Sequence, residues 1–155
     1  MAFEELVTVD SHEDHQRMVT YLAESRQPAI VIAASGMCAG GRVVNYLKAM
    51  LGDPRHDVLF VGYQAAGTPG RAIQRYGPRG GYVALDGERY PIHAQVHTLG
   101  GYSAHADEQN LVDFVRGIPV PPREIRLVHG EAGAKAALAE ALRGAVPGSK
   151  VVVPA

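Results

Sequence analysis

The stretch Ala29-Ile30-Val31-Ile32-Ala33-Ala34-Ser35-Gly36-Met37-Cys38-Ala39-Gly40-Gly41-Arg42 carries the first decision about the fold. Six apolar residues in a row read as a strand buried on both faces. Ser35 to Gly41 then reads as a turn, and Arg42 to Leu51 as a helix closed by Gly52. Strand, turn and helix in succession form the unit from which open parallel sheets are assembled.

The same alternation extends in both directions. Upstream, Ser11 to Ser25 reads as a helix, with Ser11 as its cap, Asp14 in its first turn, and Met18, Tyr21 and Leu22 on one face. Downstream, Asp57 to Val61 is a second buried strand, Gly62 to Gly70 a loop and Arg71 to Tyr76 a short helix. Tyr82 to Leu85, Asp86-Gly87 and Tyr90 to Val96 read as a β-hairpin on an Asp-Gly turn. Asp107 to Arg116 is a helix stopped by Pro119, Pro121 and Pro122. Glu124 to Val128 is a strand, Ala132 to Arg143 an alanine-rich helix and Lys150 to Val153 a last strand. The expected class is α/β, a mainly parallel sheet flanked by helices plus a β-hairpin.

Bulk properties narrow the function classes. A chain of 155 residues matches about one domain by length, and a 46% hydrophobic fraction suffices for a core. A formal net charge of −1 gives no global basic field. Cys38 is the only cysteine, so no internal disulfide forms, and a reducing, cytoplasmic location is the expectation. No apolar run is long enough to span a membrane. The acidic amino terminus lacks the pattern of a signal peptide. There is no internal repeat and no low-complexity linker.

In open α/β sheets, sites form beyond the carboxyl ends of strands. Three loops qualify. Ser35 to Gly41 has small residues and leads into a helix, which suits a phosphate, although no Gly-Lys-Ser/Thr ends it. Its plain alternative is a tight turn needing glycines. Gly62-Tyr63-Gln64-Ala65-Ala66-Gly67-Thr68 offers amide and hydroxyl donors, but reads by itself as a loop. The third region holds a histidine pair. His105 lies in Gly101-Tyr102-Ser103-Ala104-His105-Ala106-Asp107, and His129 in Leu127-Val128-His129-Gly130-Glu131. An imidazole at such an edge suits proton transfer or metal ligation, and equally well a hydrogen bond to a loop carbonyl. His12 and His15 are expected on a solvated helix face, His56 in a charged turn, and His93 and His97 in the hairpin at surface or satisfied positions. Cys38 stands at a helix start, but no histidine can be assigned as its base.

The order ASGMCAGGR (Ala34 to Arg42), FVGYQAAGTPGR (Phe60 to Arg71), GYSAHAD (Gly101 to Asp107) and LVHGE (Leu127 to Glu131) resembles the carboxyl-terminal part of the β-CASP metallo-β-lactamase nucleases, an RNA-processing family. The resemblance covers Ala29 to Arg143 and implies the carboxyl-terminal portion of a metallo-β-lactamase/β-CASP fold. It implies His105 as the catalytic histidine, a general acid or a holder of the scissile phosphate. It implies His129 as a ligand of one of two zinc ions. Ser35, Gly36 and Ser103 then lie where substrate phosphate binds. The reaction would be phosphodiester hydrolysis by a metal-activated hydroxide on RNA, with DNA as the other substrate.

The family's HxHxDH cluster and its remaining acidic ligands are absent from this sequence. The chain is therefore expected to be a truncated or split piece that lacks the amino-terminal metallo-β-lactamase half. Residues 1–90 would end the inserted β-CASP domain, and residues 91–155 would return into the metallo-β-lactamase core. One zinc ligand does not hold a catalytic zinc, so by itself the chain is expected to be inactive, without tightly bound zinc, and prone to self-association. Two alternatives stand beside this reading: a non-catalytic scaffold or partner module of the same fold, and a phosphoryl-ligand-binding α/β domain.

Overall fold

A computed structural model describes residues 5–25, 27–102 and 105–154. The chain divides into two compact units, Met1–Ser103 and Ala104–Ala155. Among the described residues the strands form three two-stranded sheets, two of them parallel and one a hairpin, with helices between them. The α/β class expected from the alternation is the one observed.

In the first unit, α1 (His12–Glu24) starts as its sequence dictates, with the Ser11 hydroxyl accepting from the Asp14 N–H at 3.0 Å. Helix α2 (Arg42–Met50) follows Gly41, whose φ of +76° opens the turn. Strand β1 (Asp57–Phe60) leads to α3 (Pro69–Tyr76), capped by the Thr68 hydroxyl on the Arg71 N–H. Strands β2 (Tyr82–Leu85) and β3 (Glu88–Pro91) form the hairpin, with Asp86 and Gly87 both at positive φ in its turn. The core gathers Val44, Leu47 and Leu51 of the α2 segment with Phe60, Ile73, Val83, Leu85 and Ile92.

Two expectations are corrected here. Tyr90 to Val96 does not continue the hairpin. Pro91 has no N–H to extend the ladder and ends β3. Ile92, His93 and Ala94 instead donate to Gly81 and Leu51 carbonyls. Gln95–Thr98 then forms β4, which pairs parallel with β1 in the register Asp57↔Gln95 to Phe60↔Thr98. The second correction concerns Ala29 to Ala34. This run joins no ladder, and Ile30 and Ile32 stand 94% and 96% exposed. An apolar run becomes a buried strand only where flanking strands accept its N–H and C=O groups, and β1 and β4 pair with each other instead.

In the second unit, α4 (Glu108–Arg116) is capped by Asp107, whose carboxylate accepts from the Asn110 N–H at 2.8 Å. β5 (Glu124–Arg126) and β6 (Lys150–Val152) pair in parallel across the intervening α5 (Ala132–Ala145). Val112, Ala139 and Leu142 are buried.

His15 is the histidine whose environment the helical pattern misses. It is 1% exposed, against the expectation of a solvated face. Its ring meets Tyr46 edge-on at 5.1 Å between centroids, and Nε2 lies 3.0 Å from the Asn45 amide nitrogen. Nδ1 finds no hydrogen-bond partner among the described residues. Burial, then the nearby Arg42 and His12 charges, hold its pKa below the usual histidine value. The unfolded chain therefore binds the proton more readily, and stability falls as pH drops through and below about 6.5. Thermal melts should show a falling midpoint from pH 7.5 to 5, above the range where Asp53 titrates, its pKa held at about 2 by Arg55. In His15→Leu that slope should flatten; an unchanged slope would show that another group carries it.

Candidate functional site

A cleft of about 430 Å³ opens beyond the carboxyl ends of β1 and β4, where parallel strands present their sites. Val61 to Gln64 form one wall and Thr98 to Gly101 the other. Helix α3 supplies Arg71 and Gln74, and the Gln74 amide donates to the Thr98 hydroxyl at 3.1 Å. Arg71 brings a positive charge and Thr98 a hydroxyl to a space edged by glycine backbone. Neither residue stood out in the sequence. The signal is present, because Thr98 ends a strand and Gly100 follows it, but it is hidden when that strand is assigned to the hairpin.

The Ser35 loop and the Gln64 loop belong together. The Gln64 side-chain amide donates to the Gly36 carbonyl at 2.7 Å, and the Gly70 N–H donates to the Met37 carbonyl. Gln64 is thus a buried strut between the loops, and its amide donors are used within the protein. Its Oε1 lies against Gly70, where a Cβ would approach to 1.8 Å, so a side chain at residue 70 would displace the Gln64 amide. The Thr68 hydroxyl is occupied too, donating to the Ala65 carbonyl and capping α3. Ser35 is half-buried and Gly36 exposed. The Ala34 carbonyl accepts from the Val43 N–H and closes the loop onto the first turn of α2. Cys38 is buried, and burial pushes its thiol pKa up, which keeps it protonated and suits packing rather than attack.

His105 and His129 both lie in the second unit, and both are exposed. Each stands two residues ahead of a helix cap, His105 before Asp107 of α4 and His129 before Glu131 of α5. These two helices pack on one another. His129 has φ +65° and is followed by Gly130 at +88°. A branched-ring residue in the left-handed region costs on the order of 1 kcal/mol, a strain tolerated where side-chain direction matters. Ser103, expected beside the phosphate, lies outside the described residues.

His93 and His97 are satisfied locally. Nδ1 of His93 lies 2.9 Å from the Gly52 carbonyl, and Nε2 of His97 lies 2.8 Å from the Asp57 carboxylate. No group of three or more His, Cys, Asp or Glu among the described residues is arranged to hold a metal ion. His129 can contribute one nitrogen to a metal, and the described residues do not complete a site around it.

Two family models match the chain. A Beta-Casp domain matches residues 1–73, and a Zn-dependent metallo-hydrolase RNA specificity domain matches residues 89–154. The chain is 42% identical over 133 residues to "Ribonuclease TTHA0252" of Thermus thermophilus, an alignment covering 84% of the chain and 29% of that protein. It is 42% identical over 113 residues to "Transcription termination factor FttA" of Thermococcus kodakarensis, covering 72% of the chain and 17% of the relative. The factor of the same name from Methanosarcina mazei is 36% identical over 125 residues, covering 79% and 19%. The chain thus spans less than a third of the length of these relatives.

Proposed function

Because the chain belongs to the β-CASP metallo-hydrolase family, we propose that it is the carboxyl-terminal segment of a zinc-dependent ribonuclease. In this reading residues 1–90 end the inserted β-CASP domain and residues 91–155 return into the metallo-β-lactamase core. The observation that carries the reading is the matched placement of two exposed histidines, each two residues ahead of the cap of one of two packed helices. His105 protonates the leaving oxygen of the scissile phosphodiester or holds its phosphate. His129 is one zinc ligand, and the rest of the ligand set comes from the remainder of the protein. Zinc, when bound, supplies Lewis acidity toward the phosphoryl oxygens and lowers the pKa of water. Ser35, Gly36 and Ser103 take the role of binding substrate phosphate that the family resemblance implies, and Arg71 adds a charge that attracts phosphate. The complete protein works in the cytoplasm. The similarity to transcription termination factors favours a second role for it, the ending of transcripts.

The test is RNA cleavage by the complete protein before and after dialysis against a chelator. Cleavage should fall to background and return with added zinc. The isolated chain should neither cleave RNA nor retain a molar equivalent of zinc after dialysis. Full cleavage with zinc at background would refute the zinc-dependent reading, and about one zinc held tightly by the isolated chain would overturn the ligand assignment.

A further inference from the structure

We propose that the outer face of the β2–β3 hairpin, with the end of α3, is a stacking platform for single-stranded RNA outside the cleft. Tyr82 is 50% exposed and Tyr76 40% exposed. The two are neighbours, since the Gly81 N–H donates to the Tyr76 carbonyl, and a Cβ on Gly81 would stand 2.8 Å from the Tyr76 Cβ. Each ring carries a guanidinium, Arg89 at 4.6 Å from the Tyr82 centroid and Arg75 at 5.5 Å from the Tyr76 centroid.

The hairpin register explains the arrangement. Val83 and Leu85 point into the core, which turns Tyr82 and Ala84 outward. Ala84 pairs with Arg89, so Tyr82 and Arg89 are diagonal neighbours on the outer face. Of the three cation–π contacts among the described residues, two lie between Arg75 and Arg89, and the third is Lys48 over Tyr90.

Charge selects the occupant. From Val58 to Leu85 the chain carries Arg71, Arg75 and Arg79 and no aspartate or glutamate, although its overall charge is −1. The carboxylates of the hairpin are engaged elsewhere: Asp86 pairs with Lys48 at 2.6 Å, and Glu88 accepts from the Tyr90 hydroxyl at 2.8 Å. Exposed tyrosine faces interleaved with arginines suit unpaired bases and their phosphates. Arg71 and Gln74 in the cleft and Arg75 beside the platform lie on one face of α3, at spacings of three and four residues. One strand can therefore pass from the cleft to the platform. An apolar peptide would leave these guanidinium groups unmatched, and an acidic peptide would match the guanidinium groups but leave the tyrosine rings without stacking partners.

The proposal rests on the reading of this chain as part of an RNA-acting protein. The test is fluorescence anisotropy of the 155-residue chain with a labelled oligouridylate, with heparin as a polyanion lacking bases. Tyr82→Ala should weaken oligouridylate binding about tenfold, and Tyr82→Phe, which keeps the ring, should restore it. Arg89→Gln should lower the slope of log affinity against log salt by roughly 0.7. Heparin binding should respond to the arginine and not to the tyrosine. Absent binding by the parent chain, or affinity unchanged in correctly folded Tyr82→Ala and Arg89→Gln, overturns the platform. So does loss of heparin and oligouridylate binding in parallel with no effect of the ring, which marks general polyanion attraction. Cleavage by the complete protein is scored separately, and its absence would overturn the nuclease reading while leaving the platform result standing.

Discussion

In the complete protein, His105→Ala should cut single-turnover RNA cleavage by roughly 10² to 10⁴ while leaving zinc content nearly intact, the effect of losing a general acid. His129→Ala should behave in the opposite order, losing one zinc first and cleavage as a consequence. The local structure makes the pair separable from unfolding. Both side chains are exposed, and neither caps a helix, since Asp107 holds the start of α4. His129→Gly sharpens the comparison. At φ +65° glycine has no Cβ to strain the turn, so this variant should be at least as stable as the parent by about 1 kcal/mol, yet equally poor in zinc. A more stable but metal-depleted variant would mean that the strain at residue 129 serves ligation. The measurements are metal content, single-turnover rate and thermal midpoint for each variant. If His105→Ala loses zinc and His129→Ala keeps it, the two roles are exchanged; if neither slows cleavage, the scaffold reading is preferred.

The elements whose signals are local were readable from sequence. Ser11 and Asp107 begin helices because their oxygens accept from backbone N–H groups three residues on, and Asp86-Gly87 turns because both tolerate positive φ. What depended on distant partners was misread. The Ala29 to Ala34 run has the composition of a buried strand but no ladder, because strand formation requires neighbours that composition does not specify. Gln95–Thr98 looked like the end of a hairpin until its pairing with β1, some forty residues earlier, made it the second strand of a parallel pair. That error hid Arg71, Gln74 and Thr98, since a cleft at the end of a parallel pair can be found only after the pair is known. His15 failed for a related reason. Its helix face is polar in sequence, and only the packing of α1 on α2 through Asn45 and Tyr46 buries it. The roles proposed for His105 and His129 rest on sequence motifs, whose reading needs no knowledge of packing.

Gly41→Ala should destabilise the first unit by about 2 to 4 kcal/mol, whereas Gly40→Ala, one residue earlier, should change it by less than about 1 kcal/mol. Two costs coincide at residue 41. Its φ of +76° is a conformation in which a Cβ is strained by on the order of 1 to 2 kcal/mol. That Cβ would also stand 2.9 Å from the Ala34 carbonyl oxygen and 3.0 Å from the Ser35 nitrogen, both backbone atoms that cannot swing away. At Gly40 a Cβ would meet nothing within 4 Å, and its φ carries no penalty. The clash at residue 41 falls on the strap that closes the Ser35–Gly36 loop onto α2 through the Val43 N–H and the Ala34 carbonyl. The damage should therefore pass through Gly36 to Gln64, whose amide donates to the Gly36 carbonyl, and so to the wall of the cleft. Denaturant unfolding of both variants measures the first effect. Oligouridylate affinity of the folded fraction measures the second, and it should fall for Gly41→Ala more than the lost stability alone accounts for. Equal stability of the two variants would show that the loop yields at residue 41. Loss of stability with unchanged affinity of the folded fraction would separate the Ser35 loop from ligand binding and leave the cleft to Arg71 and Thr98.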